Sequence, residues 1–154
     1  MKIEAELARL GLALPEATPH TGHYVPAVRM GAGLFLSGHG PRPDPDGRFV
    51  GRVGRDLTVE QGYEAARTAA LNCLGTVKRM VGDLDRVERV VKLLGFINAV
   101  EGFRETPRVL NGASDLLVRL YGDRGVHARS AIGVGALPHD IAIEVEMIVQ
   151  IREN

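Results

Sequence analysis

Residues 141–151 alternate without a break, and that alternation constrains the fold more than any other stretch. Ile141, Ile143, Val145, Met147, Val149 and Ile151 share one parity; Ala142, Glu144, Glu146, Ile148 and Gln150 share the other. A period of two marks a β-strand with one covered face. The covered face is wholly aliphatic. The other face carries two carboxylates at alternate positions of an apolar strand, which calls for either a site or solvent.

Residues 127–136 read as a neighbouring strand, joined to the first by a tight Leu137-Pro138-His139-Asp140 turn. Such a hairpin pairs Ala136 with Ile141, Gly133 with Glu144 and Ala131 with Glu146. Glu144 and Glu146 then stand beside Gly and Ala, which leave a groove rather than a filled core. Arg129 lies at the edge of that groove, within reach of a carboxylate or an anionic ligand. The same pattern also fits a solvated face with cross-strand Arg–Glu pairs.

The chain has 154 residues, enough for one domain with a sizeable core. Lys+Arg and Asp+Glu both number 19, so the formal net charge is zero. With no basic run and no aromatic stripe, nucleic acid is not expected as a partner. The single cysteine, Cys73, excludes an internal disulfide and fits a cytoplasmic protein. No signal peptide and no membrane-spanning run is legible. Aromatic residues make up 5%, so the core must be built from Val, Leu, Ile and Ala.

Along the chain, residues 2–10 suit a short amphipathic helix ended by Gly11, with Pro15 and Pro19 stopping any continuation. Residues 24–30 and 34–38 suit strands joined by a Gly31-Ala32-Gly33 turn. Residues 39–55, with three prolines and four glycines, read as a loop. Residues 58–81 form the clearest helix. Thr58 and Gln61 make a capping box, and Val59, Ala66, Ala69, Ala70, Cys73, Leu74, Val77, Met80 and Val81 form its apolar face. Gly82 ends it. Residues 86–97 are a strand. A second helix starts at Thr106 or Pro107, runs to Tyr121 and stops at Gly122. Within it, Asp115 and Arg119 are spaced as a surface ion pair.

The resulting order is an α+β pattern, β-β-α-β-α-β-β. Two helices cover only one face of its sheet, and the face with Glu144, Glu146 and Ile148 is too mixed for water. A homo-oligomer closing over that face is expected, with the groove between subunits.

The chain resembles the Rid or YjgF-like family of reactive-intermediate deaminases, formerly endoribonuclease L-PSP. H-A-R-S-A-I-G-V-G-A-L-P-H-D-I-A-I-E-V-E is similar to the family's P-A-R-S…LP…(V/I)EIE signature. Tyr24-Val25 ahead of L-F-L-S-G, and D-L-D-R-V before V-V-K-L-L-G-F-I-N, support it. The resemblance spans nearly the whole chain as one Rid-like domain, residues 1–154, with an N-terminal arm at 1–22. It implies a chorismate-mutase-like fold, a homotrimeric barrel with pockets at the subunit clefts, and no cofactor or metal. The implied activity is hydrolysis of enamines and imines of the 2-aminoacrylate type to a 2-keto acid and ammonia.

Carried onto this chain, the resemblance makes Arg129 the anchor of the substrate carboxylate and Glu144 the group that positions water. Tyr24, Ser37, Gly38 and Asn111 match positions that line the pocket. The chain departs from the family at His39, where Gln is frequent, and at Ala131, where Cys is frequent. Asn111 aligns only with an insertion within residues 102–108. These departures and the longer arm mark a divergent branch. His39 suits either proton transfer or a backbone-bonded loop role. His20, His23, His127 and His139 lack metal-ligand spacing, so no metal is expected. Cys73 reads as core and Glu146 as an interface residue. Two competing functions fit less of the pattern: a non-catalytic, regulatory trimer binding small carboxylates, and a ribonuclease or translation inhibitor.

Overall fold

In the computed structural model, which describes residues 2–16, 22–42 and 44–152, the alternation of the C-terminal strand is realised in full. Strand β5 (Ile143–Ile151) is central in a five-stranded sheet. Ile143, Val145, Met147 and Val149 are completely buried. Each contributes about 1.5–3 kcal/mol by leaving water. Along the chain, β1 is Ala27–Met30, β2 Gly33–Leu36, β3 Val87–Asn98 and β4 Ala128–Val134. The sheet order is β1-β2-β5-β3-β4.

Helices α1 (Lys2–Arg9), α2 (Val59–Val81) and α3 (Thr106–Tyr121) stand close to the boundaries the sequence predicts. The α2 capping box forms: Gln61 N–H donates to Thr58 Oγ1 at 3.1 Å, and Thr58 N–H to Gln61 Oε1 at 2.8 Å. Gly82, at φ +82°, ends α2 in a conformation that favours glycine. The buried face of α2 is small: Ala65, Ala66, Ala69 and Ala70 are fully covered. Against it, α3 presents Gly112, where a Cβ would overlap the Tyr63 carbonyl. These small residues let the two helices approach closely over one face of the sheet. Met80, expected on the covered face, is 45% exposed in the last turn of α2.

The expected C-terminal hairpin does not form. β4 pairs with β3 in parallel, and β5 pairs with β3 antiparallel, so β3 lies between the two. Residues 135–142 instead arch over the end of β3. Asn98 holds that arch: its N–H donates to Ala142 O at 2.9 Å and its Nδ2 to Asp140 Oδ1 at 2.8 Å. A strand inserted between two others reverses the parity argument. Gly133 pairs with Ile97, not Glu144, and Ala131 with Gly95, not Glu146; Glu144 and Ile132 both register with Phe96. Arg129, Ala131 and Gly133 therefore face the helices, whereas Glu144, Glu146 and Ile132 face the opposite side.

That opposite side is uncovered in the protomer. Val28 is 56% exposed, Ile132 46% and Phe35 38%. The expected Asp115–Arg119 pair is also absent. Tyr63 OH donates to Asp115 at 3.0 Å, and Arg119 bonds Glu6 of α1 at 3.1 Å, so each residue ties α3 to another helix. Residues 39–42 and 44–55 are irregular but tied down, with backbone bridges from Val50 to Ile141 and from Val53 to Ala99. No helix is long and apolar enough to cross a membrane among the described residues.

Candidate functional site

β2 ends at Leu36, and the chain then bulges before rejoining the sheet. His39 exchanges both backbone bonds with Val145, each at 2.9 Å. Phe35 pairs with Ile148, so one extra residue separates the two contacts. Ser37 and Gly38 occupy the bulge. Ser37 Oγ donates to Val25 O at 2.6 Å, which ties residues 24–26 beside it. A Cβ at Gly38 would overlap Glu144 Oε1, so only glycine leaves room for that carboxylate.

The bulge opens a cavity of about 320 Å³ lined by Tyr24, Ser37, Gly38, His39 and Glu144, among others. The predicted pocket residues are thus brought together, apart from Asn111 and Arg129. Glu144 is half-buried and accepts no hydrogen bond from the described residues. Burial first, and the Glu146 charge second, raise its pKa above the ordinary carboxylate value. A half-buried carboxylate with open lone pairs is suited to hold a water and take its proton.

His39 has two partners. Its Nδ1 lies 2.7 Å from Ser37 O and its Nε2 2.8 Å from Thr76 Oγ1 on α2. A carbonyl only accepts, so Nδ1 carries the proton and Nε2 takes the Thr76 hydroxyl proton. Burial, with Arg79 adding to it, lowers the His39 pKa against the opposing Ser37 carbonyl, which keeps the ring neutral. His39 is therefore the backbone-bonded histidine that one reading anticipated, with an added side-chain partner. Asn72, one turn before Thr76, donates Nδ2 to Gly40 O at 2.7 Å and Arg42 O at 2.6 Å, fixing the next part of the wall. Neither Asn72 nor Thr76 was singled out from the sequence. Their signal was legible there: two polar residues, i and i+4, border an alanine-rich helix face.

Arg129 is not beside Glu144 as the hairpin implied. It lies on the edge strand, with β3 intervening, and its side chain turns toward α3. Nη1 donates to Ser114 Oγ at 3.0 Å and Nη2 to Pro107 O at 3.4 Å. Asn111 sits between those two positions on the same helix and is not among the residues lining the Glu144 cavity. Ser114 and its partner His127 were likewise missed, because the hairpin reading aimed Arg129 at the wrong face.

Among the described residues, the carboxylates that cluster closely enough for a metal ion are Glu4, Asp83 and Asp85. They are outside the cavity lining. Glu4 bonds Lys78 Nζ at 2.5 Å, and Asp85 accepts from the N–H groups of Lys2 and Ile3. His23, His39, His127 and His139 join no such cluster. Pro19 and His20 lie outside the described residues. Cys73 is buried, with its thiol against Val145 O at 3.7 Å.

Known proteins share this chain's sequence and fold. The YjgF/chorismate mutase-like endoribonuclease family model matches residues 4–150. Protein TCP17 of Trypanosoma cruzi is 43% identical over 152 residues, which cover 98% of this chain and 95% of that protein. A solved protein of unknown function from Agrobacterium tumefaciens is 40% identical, with a TM-score of 0.90 over 97% of this chain and 92% of its own. A candidate endoribonuclease from Shewanella oneidensis is 32% identical, with a TM-score of 0.93 over 98% of this chain and 100% of its own.

Proposed function

Because the chain belongs to the YjgF/chorismate mutase-like endoribonuclease family, we propose that it hydrolyses small carboxylate-bearing imines and their enamine tautomers, of the 2-aminoacrylate type. The products are a 2-keto acid and ammonia. The working form is a homotrimer, in which the Arg129 edge of one protomer faces the Glu144 cavity of the next. The observation that carries this reading is Glu144: a raised, half-buried carboxylate with free lone pairs in a cavity that Gly38 keeps open. The exposed apolar side chains on the same sheet face, Val28, Phe35 and Ile132, support closure by further copies.

The chemistry needs only water and side chains. The enamine takes a proton at its terminal carbon and becomes the imine. Arg129 grips the carboxylate through its planar fork. Water adds to the imine carbon as Glu144 accepts one of its protons. The carbinolamine then collapses: Glu144 returns its proton to nitrogen, the C–N bond breaks and ammonia leaves as the C=O bond forms. The hydroxyl proton is released to solvent, which balances the proton taken up at the enamine carbon. The sum is 2-aminoacrylate plus water giving pyruvate plus ammonia. A base whose pKa lies nearer neutrality than an ordinary carboxylate's is better matched to this transfer. Tyr24, Ser37 and Gly38 bound the pocket.

The test is ketoacid release from 2-aminoacrylate generated in situ by a dehydratase. The wild type is expected to accelerate it over buffer, and Arg129→Ala to abolish the acceleration. No acceleration by the wild type would overturn the reading. Small carboxylates that still bind Glu144→Ala, with no imine turned over by any form, would favour a carboxylate-binding regulator instead.

A further inference from the structure

Arg129 is held by a directed chain of hydrogen bonds. Its Nη1 donates to Ser114 Oγ at 3.0 Å. Ser114 Oγ is also 3.0 Å from His127 Nε2, and His127 Nδ1 is 2.6 Å from Gly125 O. The carbonyl can only accept, so Nδ1 bears the ring proton. The neutral ring leaves Nε2 as an acceptor, and the Ser114 hydroxyl proton points at it. The oxygen lone pairs of Ser114 are thereby turned toward Arg129. Burial lowers the His127 pKa from its ordinary value, against the opposing Gly125 carbonyl and with the Arg129 charge adding to it. The far end is rigid: Gly125 is buried, and a Cβ there would overlap the Leu117 carbonyl of α3.

The choice of acceptors is informative. Some arginines of this chain pair with carboxylates, as Arg9 does with Glu6, Arg55 with Asp56, Arg67 with Glu64 and Arg152 with Glu88. Others, Arg29, Arg52, Arg89 and Arg124, bond backbone carbonyls, and Arg129 differs from both sets in taking a side-chain hydroxyl. Arg129 has no carboxylate partner among the described residues; its two acceptors are a hydroxyl and a carbonyl. A carboxylate there would orient the side chain equally well but would neutralise it and compete with an anionic ligand. A neutral serine–histidine pair orients it and leaves the charge available. Two N–H groups are used, and the remaining donors still offer a fork.

We infer that Ser114 and His127 are positioning residues that aim the Arg129 guanidinium at a ligand carboxylate without cancelling its charge. This rests on the reading that Arg129 anchors the substrate. Ser114→Ala and His127→Ala are each expected to raise KM about tenfold with kcat nearly unchanged, the scale of one hydrogen bond to a charged group. The double variant should be no worse than either single one, because both act through one path. Ser114→Thr, which keeps the hydroxyl, should restore KM. A merely structural role would lower the melting temperature without separating KM from kcat.

A second measurement needs no turnover. Nitrogen-15 NMR of the guanidinium, assigned by the signals lost in Arg129→Lys, should show resolved Nη–H resonances in the wild type and averaged ones in Ser114→Ala. Unchanged KM and unchanged resonances in Ser114→Ala, while Arg129→Ala is inactive, would overturn the inference and leave the functional reading standing. Full turnover by Arg129→Ala would overturn that reading instead, and the resonances would still decide whether Ser114 and His127 hold the side chain.

Discussion

Glu144 and Arg129 stand on opposite faces of one sheet and are held in opposite ways. Glu144 has room and no hydrogen-bond partner among the described residues; glycine at position 38 leaves its carboxylate open to the cavity. Arg129 is strapped to α3 through Ser114 and Pro107. One group is left unsatisfied where it would act on water, and the other is oriented where it would grip a ligand. On the proposed function, the difference makes each protomer a carrier of two half-sites that symmetric assembly would join.

The strongest way to break this contrast is to remove either half. Arg129→Ala and Glu144→Ala should each lose about 10²–10³-fold in ketoacid release, the scale of deleting one group that acts on the reacting centre. Equal amounts of the two variants, dissociated and reassembled together, should regain about a quarter of wild-type activity if the halves come from different copies of a closed ring. No recovery would put both halves in one protomer.

A subtler attack spares both groups and alters only the space between them. Gly38→Ala places a Cβ on the Glu144 carboxylate. It should cost about 1–3 kcal/mol in urea denaturation, as overpacking does, and about 10²-fold in rate through misplacement of the base. Gly135→Ala is the control, because nothing lies within 4 Å of a Cβ there. It should change stability by less than about 0.5 kcal/mol. Asn98→Ala should cost about 1–3 kcal/mol by removing the Nδ2 bond to Asp140 while keeping the backbone bond to Ala142, read as a lower melting temperature.

The smallest expected effects are those of pH. The folded pKa of His39 lies below its ordinary 6.5, so between those values the unfolded chain binds more protons. Stability contributed by His39 is therefore complete above 6.5 and is lost as pH falls through the folded value. Glu144 behaves in the opposite sense. Its folded pKa is above 4.5, so stability declines as pH rises through that window. Glu144→Gln should melt at a higher temperature than wild type at pH 7 while losing activity, and titration of melting temperature against pH checks both signs.

Much of the fold was legible in the chain, because helix caps and strand alternation are local signals. The α2 capping box, the Gly82 stop and the buried parity of residues 143–151 all follow from neighbours in sequence. The cavity wall of Tyr24, Ser37, Gly38 and His39 was found through motif resemblance, and Glu144 through its anomalous charge. The placement of Arg129 was not found, because two strands adjacent in sequence look like a hairpin whether or not a third strand intervenes. Inserting β3 put the arginine on the helix side, where its acceptors are Ser114 Oγ and Pro107 O rather than Glu144.

The sequence by itself determined which residues are strand, which are helix, and that one strand must carry charge on a face its helices cannot cover. Periodicity, caps and turn residues act over a few positions, so a linear reading captures them. Only the tertiary structure decided which strands are neighbours, and with that the side of the sheet on which each functional group stands. Strand order depends on long-range pairing energies and on where a connection can arch, here over Asn98 at the end of β3, and no local pattern encodes either.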